Sequence, residues 1–335
     1  ITCRKDLSES WQSRLGNTLA RHFSIKLKQL QCLSSDKLTV AMASNLLVKF
    51  VSVITLLFCG ILIGRWFFPV SDIHVYNSHD KIRHETLGES GIPCIVHQTW
   101  KSHRLLSARA QRWRNSWARC LPDCKHMFWT DEDNRRHIGM HFPWLLPTYE
   151  CLNSGLQKSD LAKYTYLLHY GGIYAGIDTV CLRDFRNLLS KSALVFANMD
   201  GRWLRSVNGS YVQNSLMASR PEHRFWMALL KRIVAKRRRN KAVGSTPPEQ
   251  TTGSVVLMEE LQQYLDDGRT DVRVFPSRYF NPFSWITAGN QGNPKAASCQ
   301  TMGNMNEDQE AACVAAFPEA YVVHMHSKSW GGGKL

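Results

Sequence analysis

The amino-acid sequence predicts an α/β domain, with a mostly parallel sheet and flanking helices, preceded by a single transmembrane helix. Three observations predict it. From residue 91 onward, short apolar runs alternate with segments of helical period, the pattern of a parallel sheet. The stretch Ser159 to Asp178 reads as a helix, a glycine turn at Gly171-Gly172 and a short strand ending on an acid. Leu46 to Gly64 is apolar apart from Lys49, Ser52 and Thr55, close to the roughly 20 residues needed to span a bilayer.

The elements follow in order. The chain opens on Ile1 and its first methionine is Met42, so residues 1–41 are expected to be a doubtful extension from upstream translation. Residues 46–64 form the expected signal anchor, closed by Arg65 and the interfacial aromatics Trp66-Phe67-Phe68. A cleaved signal peptide is the rival, but no small-x-small site follows. A polar stem is expected over 65–90, then a folded domain over 91–330.

Within that domain, Cys94 to His97 reads as a buried strand. Residues 105–118 read as a helix with Trp113 and Trp117 on one face, and His126 to Trp129 as a second strand. Thr130-Asp131-Glu132-Asp133 caps a helix, and Gln157 to Tyr170 forms another. Strands are expected at Ile173-Tyr174, Ala193 to Ala197, Val272 to Pro276 and Tyr321 to His324. A long helix runs from Pro221 to Arg239. Residues 286–312 are polar and rich in glycine and asparagine, which predicts a surface loop.

The chain has 335 residues, 44% of them hydrophobic, enough for a sizeable core, and a net charge of +15. Such a charge favours anionic partners. The local cluster of Lys231, Arg232, Lys236 to Arg239 and Lys241 reads as the solvated end of an amphipathic helix, or as a contact for anionic lipid. No zinc finger, RNA-binding signature or basic region with heptads is present, so nucleic acid is not an expected partner. The ten cysteines form no CxxC pair. Cys120 with Cys124, and Cys299 with Cys313, could be disulfides in a lumenal domain or buried free thiols. Asn208-Gly209-Ser210 is the one sequon after the apolar segment.

A series of segments then carries a resemblance. They are Ile92 to Lys101, Phe128 to Asp131, Phe142 to Leu145, Ser159 to Leu189, Asn214 to Ser219, Thr251 to Gly253 and His324 to Trp330. In this order the chain resembles glycosyltransferase family 32, and within it the inositol-phosphoceramide mannosyltransferases and initiating α-1,6-mannosyltransferases. The resemblance implies a GT-A-type, Rossmann-like fold and Mn²⁺ or another divalent cation. It also implies a retaining transfer of a hexose, mannose favoured, from GDP-mannose or a UDP-hexose to a glycan or glycolipid acceptor. It implies a Golgi membrane protein of single-pass type II topology, with the catalytic domain lumenal.

A sugar nucleotide leaves as a diphosphate, whose growing charge a divalent ion neutralises. Hard cations of this kind take carboxylate and phosphate oxygens. Asp178, at a strand end, suits that task; the alternative for it is a turn-capping role. Family members usually carry Asp-x-Asp where this chain has Gly176-Ile177-Asp178. By resemblance, Gly176 stands on the donor-binding side and Asp160 hydrogen-bonds the donor sugar. Lys163 stands where the family more often has Arg, three residues after Asp160 on one helical face. Trp100 is expected to stack on the nucleotide base or to pack in the core. Ser329 and Trp330 are expected on the diphosphate, Gly331 to Gly333 would let that tail move, and His324 or His326 is expected at the metal. His97 reads as a packed strand residue. A non-catalytic relative that binds or scaffolds is the alternative, motivated by Gly176 and Lys163.

Overall fold

The computed structural model describes residues 89, 91–200, 207, 211–239, 247–285, 287–288, 293–299 and 305–327. The expected extension, the apolar anchor, all of the stem but residue 89, the Asn208 sequon, Lys241, Ser329, Trp330 and the glycines after them lie outside the described residues. Among the described residues, no helix is long and apolar enough to cross a membrane.

Among the described residues eight strands form: β1 (Ile95–Thr99), β2 (Lys125–Trp129), β3 (Gly172–Ala175), β4 (Thr179–Cys181), β5 (Leu194–Asn198), β6 (Val212–Ser219), β7 (Val272–Phe275) and β8 (Val322–His324). Six make one sheet in the order β2-β1-β3-β6-β5-β7, while β4 and β8 form a separate two-stranded ribbon. β1 runs parallel to β2 and β3, and β5 parallel to β7. β6 is antiparallel to both its neighbours. The longer helices are α1 (Ala108–Cys120), α2 (Asp131–His141), α3 (Gly155–His169), α4 (Arg224–Arg239), α5 (Ser254–Asp266) and α6 (Glu307–Ala315).

Successive strand residues point to opposite faces. Tyr174, Phe196 and Met217 join a core with Tyr164, Tyr166 and Trp226 from the helices. Their chain neighbours Ile173, Val195 and Ala218 join a second core with Trp117, Phe185 and Phe275. A sheet covered on both sides explains why β1 is buried along its whole length with no polar alternation. His97 is part of that packing. Its Nε2–H donates to Gly171 O at 2.9 Å, and its Nδ1 accepts from Trp129 Nε1 at 3.1 Å.

Local chemistry sets the boundaries. Ser107 caps α1, Thr130 and Asp133 form a reciprocal capping box on α2, and Ser154 caps α3. Trp113 and Trp117 are both buried, as their spacing predicts. The Gly171-Gly172 pair has φ of +65° and +91°. A Cβ at Gly172 would lie 2.6 Å from Ile95 O, so only glycine lets α3 turn directly into β3 beside β1.

The structure corrects several expectations. The sheet is mostly parallel as expected, but Val212–Ser219 is a strand that was not expected and runs against both its neighbours. Gln213-Asn214-Ser215 gives it no apolar alternation to read. α5 was not expected, although Val255, Met258 and Leu261 recur at helical spacing and are buried. Residues 286–312 are not simply a surface loop: α6 begins there, and Ala296, Cys299, Met305 and Cys313 are buried with Trp113 and Phe283. Single apolar residues spread among polar ones build that cluster, so no period announces it. Disulfides join Cys94 to Cys124, Cys120 to Cys181 and Cys299 to Cys313, so Cys120 and Cys124 take different partners. The basic end of α4 is partly neutralised within the protein. Arg232 pairs with Glu260, Lys236 pairs with Glu259, and Arg237 donates to Cys151 O at 2.9 Å.

Candidate functional site

β3 ends at Ala175 and the chain turns at once. Gly176 N–H donates to Ser215 O at 2.7 Å, and Thr179 N–H and Oγ1–H return to Gly176 O at 3.0 and 2.6 Å. Asp178 is the third residue of this turn. The chain then enters β4, held from one side by Trp117, whose indole N–H donates to Thr179 O and Oγ1, each at 3.1 Å. From the other side β8 pairs with it, Thr179 opposite His324.

That pairing delivers the tail of the chain to Asp178. Its backbone carbonyl accepts from Met325 N–H at 2.8 Å. Its Oδ1 lies 3.1 Å from His324 Nε2, and its Oδ2 accepts from Ser327 N–H at 3.0 Å and Ser327 Oγ–H at 2.8 Å. The two side chains keep 18% and 13% exposure, respectively, so each still meets solvent. Burial alone would raise the Asp178 carboxyl. The facing His324 imidazole and the hydrogen bonds from His324 and Ser327 outweigh it and hold the carboxyl well below the ordinary carboxylate range.

Asp178 and His324 line an open cleft with about 640 Å³ of empty space, together with Asp160, Gln213, Asn214 and Trp285. Asp160 comes from α3 and is almost fully buried. Its Oδ1 meets Lys163 Nζ at 2.7 Å and Asn214 Nδ2 at 2.9 Å, and its Oδ2 accepts from Thr252 Oγ1 at 2.9 Å. Three segments far apart in sequence thus converge on one carboxylate. A buried charge is tolerated when it is paired and hydrogen-bonded in this way. Lys163, 6% exposed, faces Asp160 and lies 5.1 Å from the Tyr174 ring centre, and it does not line the cleft.

Trp100 stands apart from this cleft, whereas His326 lines it in a different orientation from His324. Trp100 follows β1, half-buried, with its N–H on Trp129 O at 3.0 Å, and it does not line this cleft. His326 has φ +48° and lies against His324, ring centres 4.1 Å apart. Its Nε2–H donates to Asn281 Oδ1 at 3.1 Å and Phe283 O at 2.8 Å, so that nitrogen turns into the protein and only His324 touches Asp178. At Gly176 a Cβ would lie 3.3 Å from Asp178 Oδ1 and 3.4 Å from Ser215 O. Sequence reasoning missed Gln213, Ser327 and Trp285. Gln213 sits directly before a quoted segment and Ser327 inside one, whereas Trp285 carried no signal.

Residues 107–195 match the family described as a glycosyltransferase sugar-binding region containing a DXD motif. The chain is similar to several glycosyltransferases. Inositol phosphoceramide mannosyltransferase 2 of Schizosaccharomyces pombe is 30% identical over 44% of this chain and 39% of its own. The mannosyl phosphorylinositol ceramide synthase SUR1 of Saccharomyces cerevisiae is 33% identical over 42% of this chain and 35% of its own. The uncharacterized glycosyltransferase L373 of Acanthamoeba polyphaga mimivirus is 24% identical over 71% of this chain and 84% of its own. The chain therefore spans well under half the length of the two yeast relatives. The matched family is described by a DXD motif, and within the matched residues this chain carries Gly176-Ile177-Asp178.

The divalent ion implied by the family can be tested against the residues present. Two ligands set at right angles about 2.1 Å from a small divalent ion lie about 3 Å apart. Asp178 Oδ1 and His324 Nε2 have that separation. An ionised carboxylate and an imidazole are both suitable donors. Among the described residues, no three acidic, thiol or imidazole side chains form a metal-holding group by themselves. Further ligands would come from a diphosphate and water, which such ions commonly keep. The donor set fits.

Proposed function

We propose that this protein is a retaining glycosyltransferase of GT-A architecture. In this reading it transfers a hexose, mannose before others, from GDP-mannose or a UDP-hexose to a glycan or glycosphingolipid acceptor. It works with Mn²⁺ or another divalent cation. The observation that carries the proposal is the meeting of Asp178 and His324 in a cleft shared with Asp160.

In the proposed reaction Asp178 and His324 hold the ion, which when bound neutralises charge on the leaving diphosphate. Ser327 holds the carboxylate in place through both its N–H and its hydroxyl. Asp160 presents an ionised acceptor to sugar hydroxyls, fixed by Lys163, Asn214 and Thr252. Trp100 is assigned to the nucleotide base, and Ser329 and Trp330 to the diphosphate. A site built on strand ends by a tight glycine turn is rigid, which favours one reacting geometry.

Mannose and a sphingolipid acceptor are suggested by the names of the yeast relatives. A lumenal Golgi location is supported by three disulfides, because such bonds persist in oxidising compartments. Membrane attachment rests on the apolar run at 46–64.

The test is donor hydrolysis and transfer by the full chain, with GDP- and UDP-sugars, with and without Mn²⁺. Metal-dependent turnover that disappears in Asp178→Ala supports the proposal. No turnover of any nucleotide sugar with any divalent metal overturns it.

A further inference from the structure

The hydrogen-bond directions around His324 can be read outward from a fixed point. Phe283 O is a backbone carbonyl and only accepts, so His326 Nε2, 2.8 Å away, carries the hydrogen. The same Nε2–H lies 3.1 Å from Asn281, which identifies the facing Asn281 atom as Oδ1. The other end of that amide is then Nδ2, a donor, and it lies 2.8 Å from Gln213. The Gln213 atom receiving it is therefore Oε1. Ser215 Oγ–H donates to the same oxygen at 3.1 Å. That oxygen also lies 3.1 Å from His324 Nδ1. An oxygen there requires a hydrogen on Nδ1, so a metal ion that displaces the hydrogen facing Asp178 Oδ1 leaves the Nε2 lone pair as the ligand in the cleft.

We infer that Gln213 is a positioning residue that fixes His324 in its Nδ1–H tautomer, making the imidazole the second protein ligand beside Asp178. It does so in a chain where glycine, not an acid, stands two residues before Asp178. The inference rests on the proposed metal-dependent reading and deepens it. Hydrogen-bond partners behind a metal-ligating histidine commonly fix its ring and tautomer in this way. Gln213 is well placed to do so: it is 6% exposed, and its oxygen is held by Asn281 and Ser215 as well as His324. Its Nε2 faces Met199 Sδ, so the amide is engaged at both ends.

The test measures Mn²⁺ binding by the full chain from the free-ion EPR signal, in the presence of GDP or UDP. Gln213→Leu removes the acceptor but keeps the volume, and is expected to weaken binding about 10- to 100-fold. Gln213→Glu keeps an acceptor for Nδ1–H and is expected to restore most of it. If Gln213 acts through His324, Gln213→Leu on a His324→Ala background produces no further loss. Binding by Gln213→Leu equal to wild type, or losses that multiply in the double variant, overturns the inference. A second readout needs no activity. In ¹⁵N-histidine NMR of the full chain loaded with GDP or UDP and the diamagnetic ion Zn²⁺, His324 should carry its hydrogen on Nδ1 in wild type and lose that preference in Gln213→Leu. Failure of the wild type to bind Mn²⁺ overturns the metal reading alone. An Nδ1 without hydrogen on His324 in the Zn²⁺-loaded protein overturns the role of Gln213.

Discussion

Asp178 Oδ1 and His324 Nε2 lie 3.1 Å apart although 146 residues separate them in the chain. If both hold the ion, their losses should differ in kind. Asp178→Ala removes the charged ligand and frees Ser327, and activity should become undetectable at any Mn²⁺ concentration. His324→Ala removes a neutral ligand worth roughly 1.5–3 kcal/mol, about 10- to 100-fold. Raising Mn²⁺ should recover much of that loss. Titrating activity against Mn²⁺ for the two variants checks both outcomes.

Gly176→Asp should make the protein more dependent on metal. The new Cβ would sit 3.3 Å from Asp178 Oδ1, so a second carboxylate would crowd the first. Like charges this close destabilise the metal-free fold. A divalent ion between them reverses the sign. The melting temperature should therefore fall without Mn²⁺, and the Mn²⁺-induced rise should exceed that of wild type, as a thermal-shift titration would show.

Lys163→Met should destabilise the fold by about 3–5 kcal/mol, because it leaves the buried Asp160 charge without its cation. Lys163→Arg should be far milder, since the charge is kept. In the double variant Asp160→Asn, Lys163→Met, much of the stability should return while donor binding does not. Urea unfolding and nucleotide-sugar affinity measured on the same samples separate the two effects.

Acid should weaken the protein through His137. Burial first, then the neighbouring imidazoles, push its pKa down to about 3, and its Nε2 has no partner. The unfolded chain binds a proton near pH 6.5 and the folded chain does not, so stability is full above that value and declines as pH falls toward about 3. By pH 5 the loss from this residue is about 2 kcal/mol. Replacing it by Phe, which suits the surrounding Trp129, Tyr166 and Tyr170 rings, should flatten the profile. Unfolding measured from pH 8 to pH 5 reads the slope.

Some of this was legible in the sequence and some was not. Trp113 and Trp117 face one way because a helix places them so, and Gly171-Gly172 marks a turn that no Cβ would fit. Those signals are local. β6 hid because Gln213-Asn214-Ser215 face the cleft and are polar for that reason, so function erased the strand pattern. Asp160 and Lys163 were paired on helical spacing alone. Their burial depends on Asn214 and Thr252, which come from other parts of the chain. The choice between His324 and His326 could not be made from alternation along a strand. It depended on a left-handed backbone at His326 that turns its nitrogen toward Phe283.

The pairing of β4 with β8 also has a consequence for biosynthesis. The six-stranded sheet has all its strands once Phe275 has been made. His324 and Ser327 arrive only with the last described residues. A polypeptide released before Val322 would own a complete scaffold and an Asp178 with neither partner. Such a product would lack both partners of Asp178, and the segment from Val322 to Ser327 would complete the proposed site on a sheet already built.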